Sequence, residues 1–345
     1  MTEKGFGNFL KRKNIEISIQ RYLIEALSYM ALGLFSSLII GSILNLIGDK
    51  LGISLFTDTI WPIAKQMTGP AIAVAVAYGL QAPPLVIFAS VLSGAAGGAL
   101  GGPVGAFMAG VVGSEFGKLV SKETKIDIIV TPAVTIIMGC LTGQLVGPPV
   151  DSFMVGFGKV IIYATNLQPI PMGILVSSLM GIALTLPISS AAIGIMLGLK
   201  GLAAGAATVG CASQMVGFAV MGFKENGWSG VVAQGLGTSM LQMPNIVKNW
   251  KIWIPPILTS MILGPIATAV FKMENTAIGS GMGTSGFVGQ FGTIEAMEAA
   301  GRSGVYVYGT ILLMHFILPV VLTLVISGVM RKIGFICEGD LKIEL

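Results

Sequence analysis

Charge is scarce in this chain: 20 lysines and arginines and 16 aspartates and glutamates make up only 10% of 345 residues and leave a net +4. Soluble domains carry about 25% charged residues, so an ordinary globular protein in water is excluded. A surplus this small, spread through a chain of mean hydropathy +0.86, also removes nucleic acid as a partner, because phosphate binding needs clustered lysine and arginine. Histidine occurs once, at His315, and the three cysteines, Cys140, Cys211 and Cys337, share no short spacing. A metal centre or redox pair has no ligand set to build on, and no cofactor is expected. No stretch is polar and long enough for a separate soluble domain, which takes about 50 residues or more.

What is there is apolar and rich in glycine: 54% hydrophobic residues and 48 glycines. A bilayer crossing takes about 20 apolar residues in a row. The runs 24–47, 60–80, 126–146, 252–271 and 305–330 meet that length. Run 84–120 is too long for one crossing and contains Gly101-Gly102-Pro103, so two antiparallel helices or a broken helix are expected there. Run 170–199 breaks at Leu186-Pro187, and 201–223 is a further span. Segments 151–166, 226–245 and 276–292 are too short or too polar to cross. The first reads as an amphipathic helix in the interface, the other two as re-entrant segments. The expected fold is an all-α polytopic membrane protein of about 8 to 10 transmembrane helices with two re-entrant hairpins.

Segment 1–22, with Lys4, Lys11, Arg12, Lys13 and Arg21, is too polar for a cleaved signal peptide. Positive-inside bias there and at Arg331, Lys332 and Lys342 puts both termini in the cytoplasm. The expected organisation is a basic cytoplasmic segment 1–22, membrane halves 23–166 and 167–331, and a cytoplasmic tail 332–345. A shift of about 125 residues lays GPVGAFMAGVVG from Gly102 on GWSGVVAQGLGT from Gly227. The match reads either as the internal duplication common in transporters or as chance alignment of Ala/Gly-rich sequence. Pairs such as Gly94/Gly98, Gly97/Gly101, Gly113/Gly117, Gly194/Gly198 and Gly201/Gly205 have the spacing that lets helix backbones approach closely.

Ionisable residues within spans are functional candidates by default, unless they snorkel from helix ends. Lys65, Lys159, Lys200, Lys224 and Arg302 lie near such ends, and Glu115 has Lys118 three residues on, the spacing of an intrahelical ion pair. Glu274 is different: it opens FKMENTAIGSGMGTSGFVGQFG (271–292), a polar stretch with glycine at 279, 281, 283, 286, 289 and 292. Such backbone belongs in a bilayer only where protein or a water-filled cavity surrounds it. Expected solute contacts here are Glu274, Asn275, Thr284, Ser285 and Gln290, with Gly281, Gly283 and Gly286 permitting close backbone approach. A second polar cluster, KENGWSGVVAQGLGTSMLQMPN (224–245), adds Gln234, Gln242 and Asn245. Gln234, Thr238 and Gln242 are four apart and would share one helix face, lining a cavity or tying helices together. His315, within an apolar run, reads as a core residue or a proton relay. Gly281 to Gly286 matches GxGxxG but lacks the βαβ context of a dinucleotide site.

Several long motifs carry a resemblance: GPAIAVAVAYGLQAPPL (69–85), GSEFGKLVSKETKIDIIVTPAVTI (113–136), LPISSAAIGIMLGL (186–199), ENGWSGVVAQGLGTSMLQMPNIVKN (225–249) and KMENTAIGSGMGTSGFVGQFG (272–292). The chain resembles the enzyme IIC-like membrane proteins of the phosphotransferase system, and within them the branch that includes the perfringolysin O regulator. The resemblance implies a bacterial inner-membrane protein, dimeric, that moves a sugar or similar small polar solute. It implies a transporter subunit rather than an enzyme, with any phosphotransfer carried by separate subunits. Two rivals stand beside transport: a membrane sensor that binds the solute without carrying it, and a proton- or ion-coupled carrier of organic anions.

Overall fold

The computed structural model describes residues 3–343, and these form helices, turns and one isolated β-bridge, with no strand among them. The chain falls into two compact units, Met1–Phe153 and Met154–Leu345. Among the described residues six helices are long and apolar enough to cross a membrane, and two shorter apolar helices accompany them. Helices solve the hydrogen-bonding problem of a bilayer within one segment, which is why an apolar chain of this length is built from them.

The first unit contains α1 (Glu3–Arg12), α2 (Gln20–Asp49), α3 (Thr68–Gly79), α4 (Pro84–Val120) and the start of α5 (Asp127–Thr165). Helix α4 is not one rod. Gly101 (φ −126°, ψ 15°) and Gly102 (φ 56°, ψ −147°) break it just before Pro103. The chain then returns along itself: a β-carbon at Gly97 would strike Gly105 and Ala109, and one at Gly113 would lie 3.1 Å from the Ser93 hydroxyl. Of the two forms expected for this run, the antiparallel pair is the one adopted. Gly102 has open space around it, so its constraint is purely backbone. Gly102→Ala is expected to lower stability by roughly 1–3 kcal/mol through backbone strain alone, read as a lower melting temperature with an unchanged size-exclusion profile.

Glu115 and Lys118 form the anticipated ion pair at 3.0 Å. Lys118 Nζ also donates to the backbone oxygens of Asn14 (2.8 Å) and Leu80 (3.1 Å), and Arg21 donates to the Leu80 oxygen at 2.8 Å. Leu80 closes α3, so two cations sit at that helix's negative end. Outside the spans, a hydrogen bond from Lys13 holds the exposed Glu123 carboxyl below its usual range, with Arg12 adding its charge.

The second unit is organised around α8 (Gly201–Met221), almost wholly buried. Around it lie α6 (Pro169–Thr185), α7 (Ser190–Met196), α9 (Phe223–Val232), α10 (Met243–Lys248), α11 (Trp250–Val270), α12 (Ala277–Ser280), α13 (Val288–Ala299) and α14 (Gly304–Lys332). Gly173, Ser177 and Gly181, four apart on α6, form the seam: Gly181 and Ser177 face Gly210 of α8, and Gly173 faces Gly264 of α11. Ser177 Oγ donates to the Ser260 oxygen (2.7 Å), and Ser260 Oγ to the Gly210 oxygen (3.1 Å). Close backbones and hydroxyl bridges are how helices associate where burial alone gives little. Of the spaced glycine pairs, Gly194 and Gly205 pack against Ser280 and Met273, whereas Gly198 and Gly201 take positive φ of 58° and 61°. Gly227 (φ 59°, ψ −157°) breaks α9 in the conformation that Gly102 adopts in α4.

Candidate functional site

The polar stretch 271–292 folds as a helical hairpin. Asn275 sets its base: Nδ2 lies within donating reach of Thr208 Oγ1 (2.5 Å), the Gly289 oxygen (2.9 Å) and Thr293 Oγ1 (3.0 Å), while Oδ1 accepts from Thr276 N (2.7 Å). The Thr276 hydroxyl accepts from Gly279 N to start α12, and α13 runs back beside it with Gly292 against Gly279. Between them the chain reverses through Gly283 (φ 53°), Gly286 (φ 52°) and Phe287 (φ 60°).

The tip of this hairpin is buried against the middle of α8. Gly281 abuts the Ser190 backbone, whose hydroxyl donates to the Gly281 oxygen at 2.6 Å, and Gly283 abuts the Cys211 backbone. Close approach is therefore what these glycines permit, and what approaches is the protein's own chain. Thr284 Oγ1 donates to the Gly235 oxygen at 2.5 Å and lies 3.5 Å from Met215 sulfur, which joins the two polar segments singled out from the sequence. Gln290 Nε2 lies 3.0 Å from His315 Nδ1, on a π-helical turn of α14, Leu312–Ile317. Such turns are frequent at functional positions.

Glu274 is half-buried, and its carboxylate faces Gly201, the first residue of α8, where the helix dipole favours negative charge.

A further polar group lies at the break after α6. Thr185 Oγ1 lies 2.8 Å from Ser239 Oγ and donates to Gln214 Oε1 at 3.2 Å, which also accepts from Trp253 Nε1 at 2.9 Å. Thr185, Thr208, Ser190 and Trp253 were not singled out from the sequence. The Leu186-Pro187 break was the available signal for Thr185, because a helix that stops inside the apolar region leaves polar groups at its end.

Gln234, Gln242 and Asn245 do come together, though not on one helix. Thr238 (φ −158°, ψ 141°) is extended and interrupts the helical path, so the spacing of four gives no continuous stripe. Gln242 Nε2 donates to Gln234 Oε1 (2.8 Å), Asn245 Nδ2 donates to Gln242 Oε1 (2.9 Å), and the row faces the chain's last described segment rather than the hairpin tip.

Among the described residues five buried side-chain atoms of this unit lack a hydrogen-bond partner: Glu225 Oε2, whose carboxylate pairs with Arg331, and four outside segment 225–249, Gln214 Nε2, Ser285 Oγ, Gln290 Oε1 and His315 Nε2. Interrupted helices and a glycine-rich hairpin around a buried helix, with six apolar spans among the described residues, define an all-helical polytopic membrane protein. A family model described as "Phosphotransferase system, EIIC" matches residues 24–343, nearly the whole chain. The chain belongs to that family. The match is at family level and does not reach the perfringolysin O regulator branch. No curated protein and no solved structure matches the chain.

Proposed function

We propose that this chain is a permease that carries a small neutral polar solute, a sugar, held in the second unit beside the hairpin 277–299 and the break after α6. The observation that supports this reading is the set of four unpartnered polar atoms on Gln214, Ser285, Gln290 and His315. A buried polar atom without a partner costs about 1–3 kcal/mol, so keeping four in one unit calls for a partner that arrives from outside. Together they offer an amide donor, an amide acceptor, a hydroxyl and an imidazole nitrogen, a neutral mixture that suits sugar hydroxyls, which both donate and accept. Asn275 and Thr284 act as positioning residues in this reading, since their groups are engaged within the protein, and Ser285 and Gln290 are the contacts. Glu274 accepts from a hydroxyl or carries a coupling proton at the mouth of the hairpin. The hairpins 226–245 and 276–292 are re-entrant, the permease works as a homodimer, and any phosphoryl transfer falls to separate subunits.

The test is a thermal-shift screen of the purified protein against neutral mono- and disaccharides and carboxylates of similar size. A neutral sugar is expected to raise the melting temperature, and Gln290→Leu and Ser285→Ala are expected to remove that shift while leaving the unliganded protein folded. A shift by carboxylates alone overturns the sugar reading in favour of an anion carrier. In proteoliposomes, Glu274→Gln is expected to abolish uptake of the sugar that binds; wild-type binding without flux makes the protein a sensor.

A further inference from the structure

The amide row on the second polar segment already has an occupant. The chain after α14 runs from residue 333 to 343 without regular structure, and side chains of 225–249 hold it by its backbone. Asn226 Nδ2 and Gln242 Nε2 both donate to the Leu341 oxygen (2.8 and 3.0 Å), and Asn226 Oδ1 accepts from Ile343 N (2.9 Å). Asn245 Nδ2 donates to the Lys342 oxygen (2.8 Å), and Asn249 Nδ2 to the Phe335 oxygen (3.1 Å) and to Asp340 Oδ2 (2.7 Å). Glu225 Oε1 accepts from Gly339 N (3.2 Å) and pairs with Arg331 at 3.3 Å. Leu341 is the apolar anchor, fully buried, with Ile336 close to it in burial.

Two features make this more than a staple. A terminal segment without regular structure stays ordered only while it is tied down, here by the side chains of 225–249. If it leaves, the amides it covered can bond to water, so both arrangements are satisfied. The elements it grips are also those that meet the hairpin tip, through the Thr284 bond to Gly235, and the tail is continuous with α14, which carries His315 against Gln290. We infer that the segment 335–343 is a displaceable latch: docked in the amide row it pins 223–248 against the glycine-rich hairpin, and its release opens a path to the middle of α8. The latch rests on the reading of this hairpin as one wall of the solute site, but its test needs no solute.

Cys211 is the built-in reporter, buried on α8 beside the hairpin, with the Ser280 oxygen 3.8 Å from its sulfur. In a Cys140→Ser, Cys337→Ser background, membranes carrying full-length protein are treated with N-ethylmaleimide and Cys211 alkylation is followed by mass spectrometry. Leu341→Asp, which puts a charge where no water reaches, is expected to speed alkylation by about tenfold or more. Faster tryptic cleavage at Lys342 in the same sample confirms that the tail has left. Should Leu341→Asp not fold, Asn226→Ala, which removes two bonds to the tail and keeps Leu341 apolar, carries the test. Ile161→Ala, a cavity elsewhere in the same unit, is the control for general loosening. The inference is overturned by alkylation within about twofold of the parent after tail release, by a tail that stays protected in both variants, or by an equal rise in Ile161→Ala. A latch that fails while sugar binding survives leaves the solute site standing; the reverse outcome separates them the other way.

Discussion

Gly210→Ala is expected to leave little or no folded protein in the membrane, although alanine is the better helix former by about 1 kcal/mol. Gly210 lies in the middle of α8, and a β-carbon there would fall inside the backbone carbonyl of Ser177 on α6. Backbone cannot swing aside as a side chain can. The helices would have to separate, and overpacking of this kind costs about 1–3 kcal/mol before any bond is lost. Separation also breaks the Ser177 to Ser260 and Ser260 to Gly210 hydrogen bonds, each worth about 1 kcal/mol net. The summed loss, about 3 kcal/mol or more, outweighs the gain in propensity. Gly328→Ala supplies the contrast: that glycine is helical with nothing within 4 Å, so the same substitution should be neutral or mildly stabilising. Melting temperature in detergent, followed by size exclusion, decides it; a well-folded Gly210→Ala protein would refute the packing argument.

Asn275→Ala is expected to release the hairpin 276–293 and with it all solute binding. Its amide bridges Thr208, Thr293 and the Gly289 carbonyl, which also accepts from Thr293 Oγ1 at 2.9 Å. Removing it takes away the bridge from the hairpin to α8 and the acceptor of Thr276 N at the turn into α12, for a loss of about 2–4 kcal/mol. Asn275→Asp isolates the cause. It keeps an oxygen for Thr276 N but presents oxygen where the donor stood, and should be as damaging as alanine. Hydrogen exchange of the peptide covering 276–293 reads the effect directly. If either variant binds the sugar found by thermal shift with unchanged exchange in this peptide, Asn275 is not the hairpin's tie.

Much of this was legible beforehand. The apolar runs 24–47, 84–120, 126–146, 201–223, 252–271 and 305–330 marked the six long helices, Gly101-Gly102-Pro103 marked the return within α4, and the three-residue spacing of Glu115 and Lys118 marked their pair. Run 60–80 instead breaks at Met67, and 151–166 continues α5 rather than forming a helix of its own. Both polar segments proved to meet, at Thr284 and Gly235. The helical stripe through Gln234, Thr238 and Gln242 was not to be had from spacing, because Thr238 is extended and its hydroxyl caps the next turn by accepting from Met240 N. Nor was the partnership of Gln290 with His315, since a lone histidine in an apolar run carries no local sign of what it faces.

The sequence by itself determined that this is an all-helical membrane protein with two polar interruptions, because hydrophobic content, glycine and proline act on the chain locally, over one span at a time. Tertiary structure alone decided what each interruption holds. Asn245 and Lys342 are 97 residues apart in the chain, and Asn275 and Thr208 are 67 apart. An amide has the same donors and acceptor wherever it stands, so only the packing of distant segments assigns one row to the tail and leaves Ser285, Gln290 and His315 with bonds still to make.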